Sequence, residues 1–272
     1  MFDSGVGGLS VLKAVCRQMP GERILFFADQ AHVPYGPRPL AEVRDFSFAI
    51  TRFLLERGVK LIVVACNTAS AAALHDLRLA FPATPFVGME PAVKPAAEHT
   101  RSGAVGVLAT SATFQGALYA SVIERFAREV TVYQDDCLGL VAQIEAGELN
   151  SAATRRILEK AIQPMLAQNI DTIVLGCTHY PFVIPLIEAI AGPGVRVIDP
   201  APAIARQVGR VLAAAQLAYR TDQPDALHII TSGNPASLAN LLPRLLGEDL
   251  SGRRPTISQA KWNEGSLHPV RN

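Results

Sequence analysis

An apolar stretch that ends in a cysteine occurs twice in this 272-residue chain, and the repeat is the strongest constraint on its fold. The first copy is LIVVACNTAS at Leu61–Ser70, and the second is TIVLGCTHYP at Thr172–Pro181, so Cys177 follows Cys66 by 111 positions. Each apolar run is short, rich in β-branched residues and without polar alternation, which is typical of a strand buried on both faces of a parallel sheet. The chain is therefore predicted to place one thiol at the end of each of two buried strands.

A second pair of strand ends recurs at nearly the same offset. FDSG at Phe2–Gly5 is echoed 106 positions later by LATS at Leu108–Ser111, after the apolar run Ala104–Val107. Strands and helices alternate along the chain, which favours βαβ units and parallel sheets. The predicted fold class is therefore α/β, with two pseudo-symmetric domains. Each is a mainly parallel sheet flanked by helices.

Two segments set the expected domain limits. The segment EPAVKPA, from Glu90, is the predicted crossover into the second domain, and a helix from Ala203 to Tyr219 is predicted to lead back to the first. The first domain is accordingly expected to contain residues 1–89 and 201–272, and the second residues 90–200. From about residue 249 the chain turns polar and loses its periodicity, so this tail is expected to be poorly ordered.

Composition and charge argue against several classes of function. A formal net charge of +1 gives no electrostatic reason to expect nucleic acid or a membrane surface as a partner. No apolar run approaches the roughly 20 residues of a membrane span. The N-terminus lacks the pattern of a signal peptide, so a cytoplasmic location is expected. Four cysteines without CxxC or Cys/His spacing indicate neither a disulfide framework nor a metal site.

No cofactor is predicted either. The glycines of the turn at residues 5–8 do not fit the GxGxxG pattern of a dinucleotide site, because Ser10 stands where the third glycine belongs. No lysine lies near either thiol to suggest a pyridoxal Schiff base.

Cys66 by itself has two interpretations. Thr68 is predicted to cap the Ala-rich helix that follows, which would place Cys66 at the positive end of a helix dipole and lower the pKa of its thiol. The alternative is a small buried core cysteine, which is what most free cysteines are. The matching Cys177 favours a functional role for both.

Polar and nucleophilic side chains are predicted at the carboxyl ends of the strands, where open parallel sheets bind their ligands. They are Asp3, Ser4, Cys66, Asn67, Thr68, Thr110, Thr113, Cys177, Thr178 and His179. If the two units face each other, the two thiols reach one cleft from opposite sides. One group can then remove a proton from one face of a carbon while the other returns a proton to the opposite face. This arrangement is suited to racemisation or epimerisation by two bases.

A thiol can take either part, because its ordinary pKa of roughly 8.5 leaves both protonation states accessible near neutrality. The α-proton of an amino acid is a far weaker acid, so the site must stabilise the developing carbanion with fixed donors and exclude water. The available donors are Ser4, Asn67, Thr68, Thr178 and nearby backbone N–H groups.

Seven motifs, in order from residue 2 to about 247, make the sequence resemble the glutamate racemases of the aspartate/glutamate racemase family. They are DSGVGGLSVL, PYG, ACNTAS, GVLAT, CLGLVAQIEAG, LGCTHYP and SGNP. Aspartate racemases share the two-thiol plan, but THYP after Cys177 is similar to the glutamate enzymes. The resemblance implies two pseudo-symmetric α/β domains with the active site in the cleft between them. It also implies cofactor-independent interconversion of L- and D-glutamate, which supplies D-glutamate for peptidoglycan, cell-wall biogenesis and cell shape.

The same resemblance implies roles for individual residues. Cys177 would deprotonate L-glutamate with help from His179 and Glu145, and Cys66 would deprotonate D-glutamate with help from Asp3. The residues implied in substrate binding are Asp3, Ser4, Tyr35, Gly36, Asn67, Thr68, Thr178 and His179. The expected partner is glutamate as a small-molecule substrate, and the chain could also form a homodimer.

Two other functions remain open at this level. A racemase for aspartate or another acidic amino acid would use the same two thiols. A non-catalytic amino-acid binding protein would bind glutamate without changing its configuration, and its thiols would be structural.

Overall fold

The computed structural model describes residues 1–219, 225–247, 250 and 252–270, which form two β-sheets flanked by helices. The strands are β1 (Phe2–Asp3), β2 (Ile24–Ala28), β3 (Ile62–Val64), β4 (Phe86–Gly88), β5 (Ala104–Ala109), β6 (Thr131–Asp135), β7 (Thr172–Gly176), β8 (Arg196–Ile198), β9 (Leu227–Thr231), β10 (Thr256–Asn263) and β11 (Ser266–Pro269). The helices are α1 (Leu9–Gln18), α2 (Leu40–Leu55), α3 (Asn67–Ala80), α4 (Val93–His99), α5 (Ser111–Gln115), α6 (Ala117–Phe126), α7 (Leu140–Glu145), α8 (Ala152–Leu166), α9 (Ile184–Ala191), α10 (Ala201–Ala214) and α11 (Pro235–Leu246).

The two sheets repeat one topology. The first has the order β11-β10-β9-β2-β1-β3-β4, and the second has the order β6-β5-β7-β8. The run β2-β1-β3-β4 in the first sheet corresponds strand by strand to β6-β5-β7-β8 in the second. All pairs in these runs are parallel. The predicted fold class, two pseudo-symmetric and mainly parallel α/β units, is confirmed.

Burial explains why the cysteine-bearing runs became strands. Every residue of β3, β5 and β7 is buried, as a strand covered on both faces requires. On the first sheet, α1, α10 and α11 contribute to one hydrophobic core, and α2 and α3 contribute to another. On the second sheet, α8 and α9 belong to the same core as α1, whereas α4 and α6 pack on the opposite face. The core that contains α1 therefore runs through both halves of the molecule.

The chain after Cys177 is shaped by its two prolines, Pro181 and Pro185. A short 3-10 turn covers Tyr180–Val183, and α9 then begins at Ile184 with Pro185 in its first turn, where a missing N–H costs no helical hydrogen bond. The helix ends before Gly192, whose φ of +78° favours glycine.

The expectation of a poorly ordered tail is wrong for the described residues. β10 pairs in parallel with β9, and β11 returns antiparallel to β10. Glu264 and Gly265 join β10 to β11, and both have positive φ, as in a two-residue hairpin turn. Backbone pairing with β9 orders these polar strands, and hydrophobic periodicity does not report such pairing. Residues 249, 251, 271 and 272 lie outside the described residues.

Two further observations concern the helices. α10 ends at Ala214 and not at the predicted Tyr219.

In the part of the chain that the structure describes, no helix combines the length and apolar character that a membrane crossing requires.

Asp171, just before β7, stabilises the start of the second sheet through hydrogen bonds to its carboxylate. Its carboxylate accepts hydrogen bonds from the backbone N–H groups of Arg101 and Ser102 and from the hydroxyls of Thr100 and Thr172. Burial alone would raise the pKa of Asp171, but these hydrogen bonds outweigh it and lower the pKa to about 2. Because the folded-state pKa lies below the ordinary value, the ionised carboxylate stabilises the fold above about pH 4. That contribution is lost as the pH falls towards 2.

Asp171→Asn is therefore expected to lower the free energy of unfolding at pH 7 by on the order of 1 kcal/mol, a modest figure because solvent screens this exposed loop. The variant should also show a weaker loss of stability than the wild type between pH 4 and pH 2. Urea unfolding followed by circular dichroism measures both effects. Asp45→Asn, at a side chain that is 78% exposed, is the matched control. Equal stability of Asp171→Asn and the wild type at pH 7 would contradict the prediction.

Candidate active site

The carboxyl ends of both sheets converge on a small cavity. Ten of the residues singled out from the sequence line it, namely Ser4, Tyr35, Gly36, Cys66, Asn67, Thr68, Thr110, Cys177, Thr178 and His179. Asp3, Thr113 and Glu145 lie behind this lining and contact it through hydrogen bonds. A larger cavity opens at the other end of the first sheet, against Met1, Ile24 and Leu61, away from both thiols.

Cys66 lies two residues after Val64, the last residue of β3, and is itself the N-cap of α3. Its sulfur accepts a hydrogen bond from the backbone N–H of Ala69 at 3.4 Å. The predicted cap, Thr68, lies inside the helix, and its hydroxyl contacts that of Thr110 in the other half at 2.8 Å. Burial, and then the nearby charge of Asp3, raise the pKa of the Cys66 thiol. The expectation of a lowered pKa is therefore wrong, because loss of solvent outweighs the helix N-terminus at this position.

Cys177 forms a line of three groups with His179 and Glu145. The sulfur lies 3.8 Å from His179 Nδ1, and His179 Nε2 lies 2.7 Å from Glu145 Oε1. A carboxylate only accepts, so Nε2 carries the proton that it donates to Glu145. In the neutral imidazole, Nδ1 then faces Cys177 as an acceptor.

The interactions among Cys177, His179 and Glu145 favour the charged forms of His179 and Glu145. Burial alone would lower the pKa of His179, but its interactions with Cys177 and Glu145 outweigh burial and raise that pKa. Burial would likewise raise the pKa of Glu145, but the hydrogen bond and the charge of His179, together with the N–H of Val6, lower it. These shifts favour a protonated imidazole at His179 and an ionised carboxylate at Glu145.

Asp3 lies at the end of β1, fully buried, on the Cys66 side of the site. Its Oδ1 accepts a hydrogen bond from the N–H of Gly5 at 2.9 Å, and its Oδ2 accepts one from the hydroxyl of Thr178 at 3.0 Å. Burial raises the pKa of Asp3, although the charge of His179 opposes the shift. The raised pKa makes Asp3 a candidate for proton exchange with the Cys66 side of the site.

The glycine-rich turn after β1 brings the two halves into contact. A Cβ at Gly5 would overlap Glu145 Oε1, and a Cβ at Gly7 would overlap His179 Nδ1. The absent side chains let the backbone N–H of Val6 donate to Glu145 Oε1 at 2.7 Å. These glycines make room for acid–base groups and not for a phosphate.

Asn67 presents unpaired donors and acceptors to the cavity. Within the described part of the chain, neither its Nδ2 nor its Oδ1 has a hydrogen-bond partner, although both atoms are buried. An unpaired buried amide is costly, so a ligand that bonds to it gains affinity. Asn67 is therefore a strong candidate for contact with a polar substrate.

Asp29 is a supporting residue that the sequence analysis missed. This fully buried carboxylate accepts from the hydroxyl of Tyr35 at 2.6 Å, the hydroxyl of Ser232 at 2.7 Å and the indole N–H of Trp262 at 2.7 Å, and it pairs with His32 at 2.9 Å. Tyr35 therefore gives the cavity its ring and backbone, not its hydroxyl. Asp29 follows β2 directly, so its position at a strand end was the available signal.

The remaining titratable groups do not extend the site. Cys16 and Cys137 are buried in the core that runs through both halves. Among residues 1–219, 225–247, 250 and 252–270, no group of three or more histidine, cysteine, aspartate and glutamate side chains is placed to hold a metal ion.

Comparison with known proteins gives consistent matches. The family model described as Asp/Glu/Hydantoin racemase matches residues 4–208. A glutamate racemase of Roseiflexus sp. (strain RS-1) is 51% identical over 90% of this chain and 90% of its own. The glutamate racemase of Escherichia coli, solved with L-glutamate and the activator UDP-MurNAc-ala, is 32% identical with a TM-score of 0.82 over 99% of this chain and 97% of its own. That of Francisella tularensis, solved with D-glutamate, is 28% identical with a TM-score of 0.81 over 96% and 95%.

Asp29→Asn tests whether one carboxylate holds the wall of the cavity. The amide nitrogen of asparagine replaces one carboxylate oxygen, so its N–H groups face two of the four groups that now bond to Asp29. The free energy of unfolding should therefore fall by about 2–3 kcal/mol. The emission of Trp262, the sole tryptophan of the chain, should shift as its hydrogen bond is lost. Trp262→Phe, which removes one N–H and keeps an aromatic ring, should cost only about 1 kcal/mol. Urea unfolding measures both variants, and an unchanged midpoint for Asp29→Asn would refute the assigned role.

Proposed function

The chain belongs to the Asp/Glu/Hydantoin racemase family, and from this premise we propose that it interconverts L- and D-glutamate by a two-base mechanism that uses Cys66 and Cys177. One observation carries the proposal: two thiols from the ends of equivalent strands in the two sheets line the same cavity. The complexes of similar enzymes with L-glutamate and with D-glutamate support the choice of substrate.

In the L-to-D direction Cys177 is the base. Its proton passes to His179 Nδ1, 3.8 Å away, and the resulting imidazolium is stabilised by Glu145 at 2.7 Å from Nε2. The thiolate then takes the α-proton of L-glutamate. Cys66, which burial keeps protonated, donates its proton to the opposite face of the α-carbon.

In the D-to-L direction the roles are exchanged. Cys66 must first lose its proton, and we assign its receipt to Asp3, the buried carboxyl on this side of the site, whose pKa burial raises. Cys66 then takes the α-proton of D-glutamate, and Cys177 returns a proton on the other face.

The carbanion between the two transfers needs stabilisation without bulk water. Both thiols are 5% exposed, and the surrounding Asn67, Thr68 and Thr178 side chains are also buried. The unpaired amide of Asn67 and the hydroxyls of the two threonines supply fixed dipoles in a dry site, where they act more strongly than in solution. We further propose, from the family, that the D-glutamate formed serves peptidoglycan synthesis.

Cys66→Ala and Cys177→Ala should each lower racemisation by at least about 10³-fold, because each variant lacks one of two obligatory proton carriers. A chiral assay with L- and D-glutamate and no added cofactor measures the loss, and circular dichroism checks the fold. Cys16→Ala, which removes a thiol from the core, is the control and should remain active. Wild-type turnover by either active-site variant would exclude the two-base mechanism.

Isotope incorporation distinguishes two bases from one. In D2O, the newly formed enantiomer should carry deuterium at Cα, while the remaining substrate stays protiated early in the reaction, since each thiol serves one face. Mass spectrometry after chiral separation measures both pools. Equal early labelling of substrate and product would indicate a single shared base.

The other candidate functions give different results in the same assays. A racemase for aspartate or another acidic amino acid would turn over that substrate faster than glutamate when several L-amino acids are compared by polarimetry. A binding protein would retain glutamate without any change in optical rotation.

A further inference from the structure

The amide of Gln30 joins the first sheet to the acid behind Cys177. Gln30 follows β2 and Asp29 directly, and its Nε2 donates to Glu145 Oε2 at 3.2 Å. On its other side, the hydroxyl of Thr231, at the end of β9, donates to Gln30 Oε1 at 2.8 Å. Gln30 does not line the cavity. Its hydrogen bond to the groups around the thiols is the one to Glu145.

The orientation of the Gln30 amide follows from its partners. Thr231 Oγ1 already accepts a hydrogen bond from the N–H of Gly233 at 2.9 Å, so its one proton is free to point at Gln30. That proton selects Oε1, and Nε2 is left to face the carboxylate. The amide is held by a donor on one side and an acceptor on the other.

Glu145 needs such a contact on its second oxygen. Oε1 serves both Val6 N–H and His179 Nε2, at 2.7 Å each. For Oε2, Gln30 is the one hydrogen-bond partner that the described residues provide. The terminal torsion of a glutamate is broad, so contacts at one oxygen do not fix the plane of the carboxylate. The second contact does fix that plane.

We propose that Gln30 is a positioning residue for the Cys177 half of the reaction. By fixing the carboxylate plane it keeps Glu145 Oε1 on His179 Nε2, which keeps Nδ1 of the same ring directed at the Cys177 sulfur. The proposal rests on the two-base mechanism above and adds that proton transfer at Cys177, but not at Cys66, depends on Gln30. The structure shows no hydrogen bond from Gln30 to Asp3 or Cys66 among the described residues, so the Cys66 half should not depend on it.

A test of this one-sidedness must respect the equilibrium of the reaction. L- and D-glutamate have equal free energy, so kcat/KM must be the same in both directions for every variant. A slower Cys177 step therefore lowers kcat/KM equally from either enantiomer. Kinetic isotope effects are free of this restriction, because the deuterium on each enantiomer reports the thiol that removes it.

Gln30→Met keeps the length of the side chain and removes the amide. It should lower kcat/KM about tenfold in both directions, the effect of one hydrogen bond to a charged group. The primary isotope effect on kcat/KM with Cα-deuterated L-glutamate should rise, because proton removal by Cys177 limits the rate more. The effect with Cα-deuterated D-glutamate should fall, because removal by Cys66 limits it less.

Gln259→Met is the matched control. The Gln259 amide donates to the backbone oxygen of Gly233, two residues after Thr231, at 2.6 Å, and the described residues show no hydrogen bond from it to Glu145. The same chemical change at this neighbouring position should leave both isotope effects at their wild-type values. Circular dichroism confirms that each variant is folded. If Gln30→Met does not fold, Gln30→Asn replaces it, since the shorter amide cannot bridge Thr231 and Glu145 and should give the same pattern.

The outcomes separate this inference from the mechanism on which it rests. Opposite shifts of the two isotope effects in the Gln30 variant, absent in Gln259→Met, would establish the positioning role. Unchanged isotope effects, or shifts in the same direction, would overturn it while Cys66→Ala and Cys177→Ala remain inactive. If those cysteine variants turn over glutamate at wild-type rates, the two-base mechanism itself is wrong.

Discussion

The backbone of the glycine turn at residues 5–8 lies against the acid–base groups of the other half of the molecule, and the rest of the site depends on this contact. Any side chain at Gly5 or Gly7 would occupy the space of Glu145 or His179. Because the turn comes so close, Val6 can donate to Glu145, and Ser10 can donate to the backbone oxygen of Thr178 at 2.9 Å. The two sheets are thereby held at a separation that lets one small cavity touch both thiols.

The same contact couples the supports of the two cysteines. Asp3 belongs to the sheet of Cys66, but Thr178 from the second half holds its Oδ2. Glu145 belongs to the half that contains Cys177, but Val6 and Gln30 from the first half hold its two oxygens. Each carboxyl group, which in the proposed mechanism assists the thiol of its own half, is thus oriented by the other half. Separating the halves would loosen both acids together, so the closed arrangement and the competence of both thiols are linked.

Sequence reasoning reached the fold and most of the cavity lining because both follow from local rules. Buried β-branched runs predict parallel strands, the recurring strand ends predict the repeat, and the strand-end rule places Cys66, Cys177 and their neighbours together. The comparisons confirm the family resemblance that the motifs indicated. Glu145 came from that resemblance alone, because it ends a short helix and no strand-end rule points to it. Long-range effects were missed: the burial that raises the pKa of Cys66, the donors gathered by Asp29, and the pairing that orders β10.

The duplicated fold does not give the two thiols equivalent surroundings. Cys177 has an imidazole between its sulfur and a carboxylate, which can store the thiol proton as a stabilised cation. Cys66 lies at a helix N-terminus, on the same side of the site as the buried carboxyl of Asp3. Burial raises the pKa of the Cys66 thiol and that of Asp3. Under the proposed two-base mechanism, the resting proton donor therefore lies on the Cys66 side and the resting base on the Cys177 side. An equilibrium constant of one does not require the two proton transfers to have equal barriers. It requires only that the product of the rate constants be the same in both directions. If the proposed mechanism holds, the fold keeps one resting protonation state, ready for L-glutamate, and reaches the other through Asp3.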